Sequence, residues 1–336
     1  MPEKDKASLG NNQSCDLTRR DFIRTTAVGM TATAAASTVG LAEKAKKPAS
    51  TSETLAAQFY GTCTPEQKKL CAFPFDHPLR NAVDNNWRIT KARVGTSFTP
   101  DQQALIREIF MQLHDPQYAD KVMGQVEHDN GKEGFKGCSV ALFGKPGTGK
   151  YEFVLSGRHV TRRCDGDAVD GAAFGGPIFY GHAAKSFVEP ADHAGNIYWY
   201  QGVRANELFQ ALDGKQRQVA LLGEARPEEA SKTVALGGKS TSLAGLPFSE
   251  LTADQQGLAW QVMTDVLAPF RKKDRDESMK YIKASGLEKL HLSYYKNHDV
   301  GNDGVWDVWQ VESPSMVWYF RGEPHVHTWV NIRKPA

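Results

Sequence analysis

The stretch "FGKPGTGKYEFVLSGRHVTRR", residues 143–163, decides between two fold classes. Gly144, Gly149 and Lys150 fall where a phosphate-binding loop places its glycines and lysine. Such a loop needs a helix behind it, with Ser or Thr after the Lys to hold magnesium. Here Tyr151 takes the Ser/Thr position, and "YEFVLSGRHV" alternates like a strand. A Gly-rich loop between two strands is a hairpin turn. Pro146, Gly147 and Gly149 then supply turn geometry, and Lys145 and Lys150 keep the tip solvated. ATP is therefore not expected as a cofactor, and the loop is expected to help present His159.

Around this hairpin lie similar runs, "CSVALFG", "AAFGGPIFYG" and "GNIYWYQG", rich in β-branched and aromatic residues and punctuated by Gly. The texture returns near the C-terminus in "HLSYYK", "VWDVWQVES", "SMVWYFRG" and "HVHTWVNI". Before and between these runs, "CTPEQKKL", "FTPDQQALI", "LDGKQRQVALL" and "LTADQQGLAW" each set Thr or Asp three residues before Gln. That spacing is a capping box: Thr64, Thr99, Asp213 or Thr252 accepts from a first-turn N–H, and Gln67, Gln102, Gln216 or Gln255 reaches back. Irregular spacing between the four boxes reads as shared capping physics rather than a true repeat. The order helices, strands, helices, strands predicts an α+β fold, a largely antiparallel sheet flanked by capped helices, in a single domain over residues 57–336.

Thr18, Arg19, Arg20, Phe22, Ile23 and Arg24, followed by a weakly apolar Ala/Thr/Gly run, resemble a twin-arginine export signal over residues 1–42. The run is too short and too weak for a stable membrane span. Residues 43–56 are polar and read as a flexible linker. The expected partner is the twin-arginine export machinery, and the expected location periplasmic or extracellular. Because that route resembles a path for proteins that fold before export, it favours a bound metal or cofactor. The first 47 residues hold 8 basic and 5 acidic side chains of the chain's 41 and 39, leaving the remainder near neutral at 33 against 34. Nucleic acid is therefore not an expected partner. Cys63, Cys71, Cys138 and Cys164 permit two disulfides in three pairings, although Cys63 and Cys71 stand too far apart along a helix for a direct bond.

Residues from about 57 onward resemble an uncharacterised bacterial family, domain of unknown function 3500. The resemblance is carried by "FGKPGTGKYEFVLSGRHV", "LFQALDGKQRQVALL", "GLPFSELTADQQGLAWQVMTDVL", "GLEKLHLSYY" and "SPSMVWYFRGEPHVHTWVNIRKP". Two departures stand out. The family's His-His pair is here Arg158-His159, and its acidic, Tyr-Gly tail is absent. No reaction is implied, because the family's activity is not established.

Residues two apart on a strand point the same way, so His325 and His327 are expected to share a face, with Val326 opposite. Two such imidazoles grip one metal; His159 is the best third ligand and His182 the next. Neutral imidazole suits zinc or copper, and also iron or nickel, so the donor set does not choose. Glu152, Asp165 and Glu323 are the candidate bases. Asp165, Asp167 and Asp170, and likewise Asp299, Asp303 and Asp307, read as solvated turns, since neither run ends in the Glu a calcium loop needs. Arg158, Arg162 and Arg163 read as a solvated strand face, and His114, His128, His291 and His298 as surface or loop positions. These features point to an exported metal-dependent hydrolase, lyase or oxidoreductase acting on a small molecule. The alternative is a non-catalytic ligand-binding or structural envelope protein, in which Tyr198, Trp199, Tyr200, Trp306, Trp309, Trp318 and Trp329 stack on sugars.

Overall fold

The computed structural model describes residues 51–182, 196–237, 243–296 and 307–335. The twin-arginine stretch, His298, Asp299, Asp303 and Trp306 lie outside them. Residues Ala49–Ala336 cluster as one compact unit. The strands are β1 (Ala72–Phe73), β2 (Ser139–Gly144), β3 (Tyr151–Gly157), β4 (Val160–Cys164), β5 (Ile178–Gly181) and β6 (Leu221–Leu222). They continue with β7 (Leu246–Pro247), β8 (His291–Tyr295), β9 (Val308–Ser313), β10 (Met316–Arg321) and β11 (His327–Ile332). One mostly antiparallel sheet results, in the order β1-β2-β3-β4-β5-β11-β10-β9-β8-β6, with β7 on β8.

That order is a palindrome, and its registers agree residue by residue. Ala72 and Phe73 of β1 pair in parallel with Leu142 and Phe143, as Leu221 and Leu222 of β6 pair with Tyr294 and Tyr295. The β3–β4 hairpin closes at Gly157 and Val160, as the β9–β10 hairpin closes at Ser313 and Met316. The two meanders meet where β5 pairs antiparallel with β11. The fold is therefore α+β and internally duplicated about a pseudo-twofold axis, so the recurring capping boxes do mark a repeat.

The helices repeat as well. In the first half these are α1 (Ser52–Thr62), α2 (Pro65–Cys71), α3 (Val94–Ser97), α4 (Pro100–Gln112) and α5 (Ala119–Asp129); in the second, α6 (Trp199–Ala211), α7 (Gly214–Ala220), α8 (Ala253–Leu267) and α9 (Lys272–Ala284). Capping boxes start α2, α4, α7 and α8. Each half joins its two boxes side by side. Gln67 Nε2 donates to Gln102 Oε1 at 2.8 Å, and Gln102 Nε2 donates to Gln67 Oε1 at 3.0 Å; Gln216 and Gln255 exchange the same bonds at 2.8 Å each. The remaining Nε2 protons also go to equivalent carbonyls, Ser97 and Thr62 in one half, Glu250 and Ala211 in the other. The four glutamines thus fix how the paired helices sit, while satisfying N-terminal N–H groups that a helix leaves unpaired.

Helices cover one sheet face, where Phe59, Ile106, Phe153, Val262, Trp318 and Phe320 share the main core. Fully burying each such side chain contributes roughly 1.5–3 kcal/mol. Alternate strand residues face the other way: Phe179, Val317, Tyr319 and Trp329 pack with Val83 and Val234 from long loops. Among the described residues no helix is long and apolar enough to cross a membrane.

Several expectations need correction. α1 begins at Ser52, with Ser52, Leu55 and Ala56 buried, so residues 52–56 belong to the packed fold rather than to a linker. "GNIYWYQG" is not a strand but the entry to α6, whose Gln201, Gly202, Ala205, Leu208 and Phe209 recur at helical spacing on its buried side. The four cysteines are buried free thiols, with no disulfide among them. Burial pushes the Cys138 and Cys164 thiols up to about 12, so they stay protonated. The loop after Gly144 does join two antiparallel strands. It lies at the opposite end of β3 from His159, however, and so does not present it.

Candidate metal centre

His159 occupies the two-residue turn between β3 and β4, with φ of 55°. A non-glycine residue in this left-handed region is uncommon and worth explaining. Its N–H is held by Asn85 O at 2.8 Å, and the turn directs the ring inward, leaving the residue 6% exposed. His327 opens β11, and His325 lies just ahead of the strand. Val326 between them is buried in the helix-side core, so both rings emerge on the other face as the two-residue spacing predicts. Gly181 permits this approach. A Cβ there would stand 2.1 Å from the Val326 carbonyl oxygen and 3.5 Å from the His159 ring.

The three imidazoles converge through one nitrogen each. His327 Nε2 lies 3.0 Å from His159 Nε2 and 2.9 Å from His325 Nε2. Behind two of the rings sit carboxylates: Asp129 Oδ2 is 3.1 Å from His159 Nδ1, and Glu228 Oε2 is 2.7 Å from His327 Nδ1. A carboxylate accepts the Nδ1 proton, which leaves the lone pair of a neutral ring on Nε2. Two lone pairs facing each other at 3.0 Å repel unless a cation lies between them. An ion about 2 Å from each nitrogen would span both contacts, and carboxylate-backed histidines are the usual support of a bound metal.

Electrostatics keeps these ligands ready. Burial, followed by the Arg158 charge, lowers His159 to about 3. Burial and the neighbouring His327 lower His325 to about 3. Burial also takes His327 down to about 4, against the opposing pull of Glu228. All three rings are thus neutral near pH 7, the form that binds metal. Burial opposes ionisation of Glu228, but the hydrogen bond to His327 and the Arg321 charge prevail and hold it well below the usual carboxylate range. Arg321 grips that carboxylate with two bonds, Nε to Oε1 at 2.8 Å and Nη2 to Oε2 at 3.2 Å. Asp129 ends α5 and accepts from Gln125 Nε2 at 2.8 Å.

The profile of a family described as "Protein of unknown function (DUF3500)" matches residues 45–335. The chain belongs to this family. All three clustered histidines of this DUF3500 protein lie inside the matched region. No curated protein and no solved structure matches the chain.

His182, the other proposed ligand, stands one step back in this DUF3500 fold. It is buried, its Nδ1 touches Gln125 Nε2, and it lies 3.7 Å from Asp129 Oδ1. The proposed bases are elsewhere. Glu152, fully buried at the far end of β3, pairs with Arg163 at 2.5 Å and Arg80 at 3.2 Å, and burial raises its pKa. Asp165 lies beyond β4 and accepts from Val169 N at 2.9 Å, with its pKa also raised by burial. Glu323 is close to the histidines along the chain, and its carbonyl accepts from Arg321.

Arg162 and Arg163 are not a solvated face; each is 2% exposed. Arg162 Nε donates to His114 Nε2 at 3.0 Å, so His114 is a core residue, its pKa lowered well below normal chiefly by burial. His128 is exposed as expected. Trp309, Trp318 and Trp329 are fully buried and Tyr198 is 2% exposed, so these residues form no sugar platform. Sequence reasoning missed Asp129 and Glu228. Nothing in "VEHDN" or "RPEEA" marks them, because each acts across the fold rather than along the chain.

Proposed function

We propose that this protein binds one transition-metal ion through His159, His325 and His327, with Asp129 and Glu228 orienting two of the rings. The observation that carries this reading is the meeting of three Nε2 atoms, with a carboxylate within hydrogen-bond reach of Nδ1 on two of the rings and burial disfavouring protonation. Zinc and copper suit an all-imidazole set. Three protein ligands leave a position for a small molecule, which favours a catalytic over a purely structural centre. His325, the least buried of the three, marks the open side. An ion there would supply Lewis acidity toward water or a carbonyl group. We assign the protein to metal-dependent chemistry on a small molecule, in the hydrolase, lyase or oxidoreductase class. Export in the folded state through the twin-arginine route, to the periplasm or beyond, fits the Thr18–Arg24 motif and delivers the protein with its ion already in place.

The test is metal analysis of protein purified from metal-replete cells. One ion per chain is expected, falling to background in His325→Ala/His327→Ala. Metal absent from the wild type, or unchanged in the double variant, removes the reading. For export, Arg19→Lys/Arg20→Lys is expected to trap the protein in the cytoplasm.

A further inference from the structure

Among the described residues, Arg158 is the one arginine whose guanidinium has no partner. Every other engages a side chain or carbonyl: Arg80, Arg88, Arg93, Arg107, Arg204, Arg271, Arg275 and Arg321 reach carboxylates. Arg163 does so too, Arg162 meets His114, Arg217 a carbonyl, Arg226 Gln310, and Arg333 Asn331. The Arg158 backbone, by contrast, is fixed. Its N–H donates to Asn130 Oδ1 at 3.3 Å, and it bridges Asn86. The side chain is exposed, in the same two-residue turn that aims His159 at the other two rings. An unpaired guanidinium on a fixed backbone, near enough for its charge to act on His159, is a group available to something that binds.

Charge balance says what that is. The three ligands are neutral and bring no charge to an ion. Glu228 is neutralised by Arg321; behind His159, Asp129 brings one negative charge, and the neighbouring Arg158 side chain brings one positive charge. A divalent ion would therefore leave the centre with an excess of two positive charges in a largely buried setting, where uncompensated charge is expensive. Resting on the metal reading above, we infer that the open position takes an anionic ligand, a small carboxylate, whose second oxygen is received by Arg158. The substrate class is thus a carboxylic acid anion. Arg158 is the residue that selects for it, while His159, next to it, holds the ion.

The inference is tested on protein loaded with Co2+, whose visible absorption reports its ligands, by titrating acetate and, separately, neutral imidazole. Acetate is expected to shift the spectrum saturably. Arg158→Gln should weaken acetate about tenfold or more, the worth of a charge-assisted hydrogen bond. Its Co2+ content and imidazole affinity should stay unchanged. Arg158→Lys, which keeps the charge but not the fork, should recover part of the loss. Equal acetate affinity in wild type and Arg158→Gln overturns the role of Arg158, as does a loaded wild type blind to acetate. A wild type that takes up no Co2+ is a different failure, visible before any acetate is added; it sinks the metal reading and this inference with it. Because Arg158 is exposed and its side chain makes no contact that the fold needs, the variants are expected to fold.

Discussion

His159 and His327 come from opposite halves of a duplicated fold and meet nitrogen to nitrogen at 3.0 Å, each backed by a carboxylate from its own half. Asp129 stands behind the first and Glu228 behind the second. The centre is therefore assembled across the seam between the halves, and the residues that support it can be probed separately from those that form it.

Asp129→Asn removes the charge that fixes the His159 tautomer but leaves a hydrogen-bonding group of the same size. Metal affinity should fall about 10- to 100-fold, read by competition with a chromophoric chelator, while circular dichroism stays unchanged. An affinity equal to wild type would show that the carboxylate does not support the ligand.

Gly181→Ala tests geometry rather than charge. The new methyl would meet the Val326 carbonyl at 2.1 Å, so the start of β11 must shift, and with it His325 and His327. Reduced metal affinity together with a lower Tm is expected. Crystallisation of the variant with an undisplaced β11 would contradict it.

Acid should destabilise the metal-free protein. The folded pKa values of His159 and His325, about 3, and of His327, about 4, lie below the ordinary 6.5. The unfolded chain therefore binds protons first, and stability that is full above pH 6.5 is lost as pH falls through the folded values. Buried His114, shifted in the same direction, adds to this window. Urea unfolding at pH 7.5, 6 and 5 should show the decline, with a shallower slope in His159→Asn/His327→Asn. Equal slopes in the two proteins would refute the assignment.

The duplicated glutamine pairs predict matched losses. Gln102→Ala and Gln255→Ala each remove a reach-back to the helix cap and leave a partner glutamine, part-buried Gln67 or buried Gln216, short of hydrogen bonds. Each should cost about 2–3 kcal/mol in urea unfolding. With no shared partners, the two should add. A large effect at one site alone would contradict their equivalence.

Much of this was legible in the chain. The capping boxes, the hairpin nature of the Gly-rich loop and the shared facing of His325 and His327 follow from local rules, because each depends on spacing along one element. What escaped was whatever depends on contacts across the fold. The halves differ at most positions outside their caps, so the duplication emerges only from matched registers. Aromatic residues gave "IYWY" the look of a strand, although the helical spacing lies beyond it in α6. Arg163 looked solvent-bound because the groups that receive it, Glu152 and the carbonyls of Arg80, Ala82 and Pro177, are spread along the sequence.

The duplication also bears on stoichiometry. A twofold molecule ordinarily offers each feature twice. By hairpin register, however, the counterpart of His159 is Ser315. The counterpart of His327, reached by counting the same distance back from the matched pairs Val160–Tyr180 and Met316–Ile332, is Gly175. Neither can hold a metal through its side chain as imidazole does. Two copies of one architectural unit thus differ so that only one of the two symmetry-related corners carries the facing imidazoles, and the molecule has a chemical front and back that its skeleton lacks.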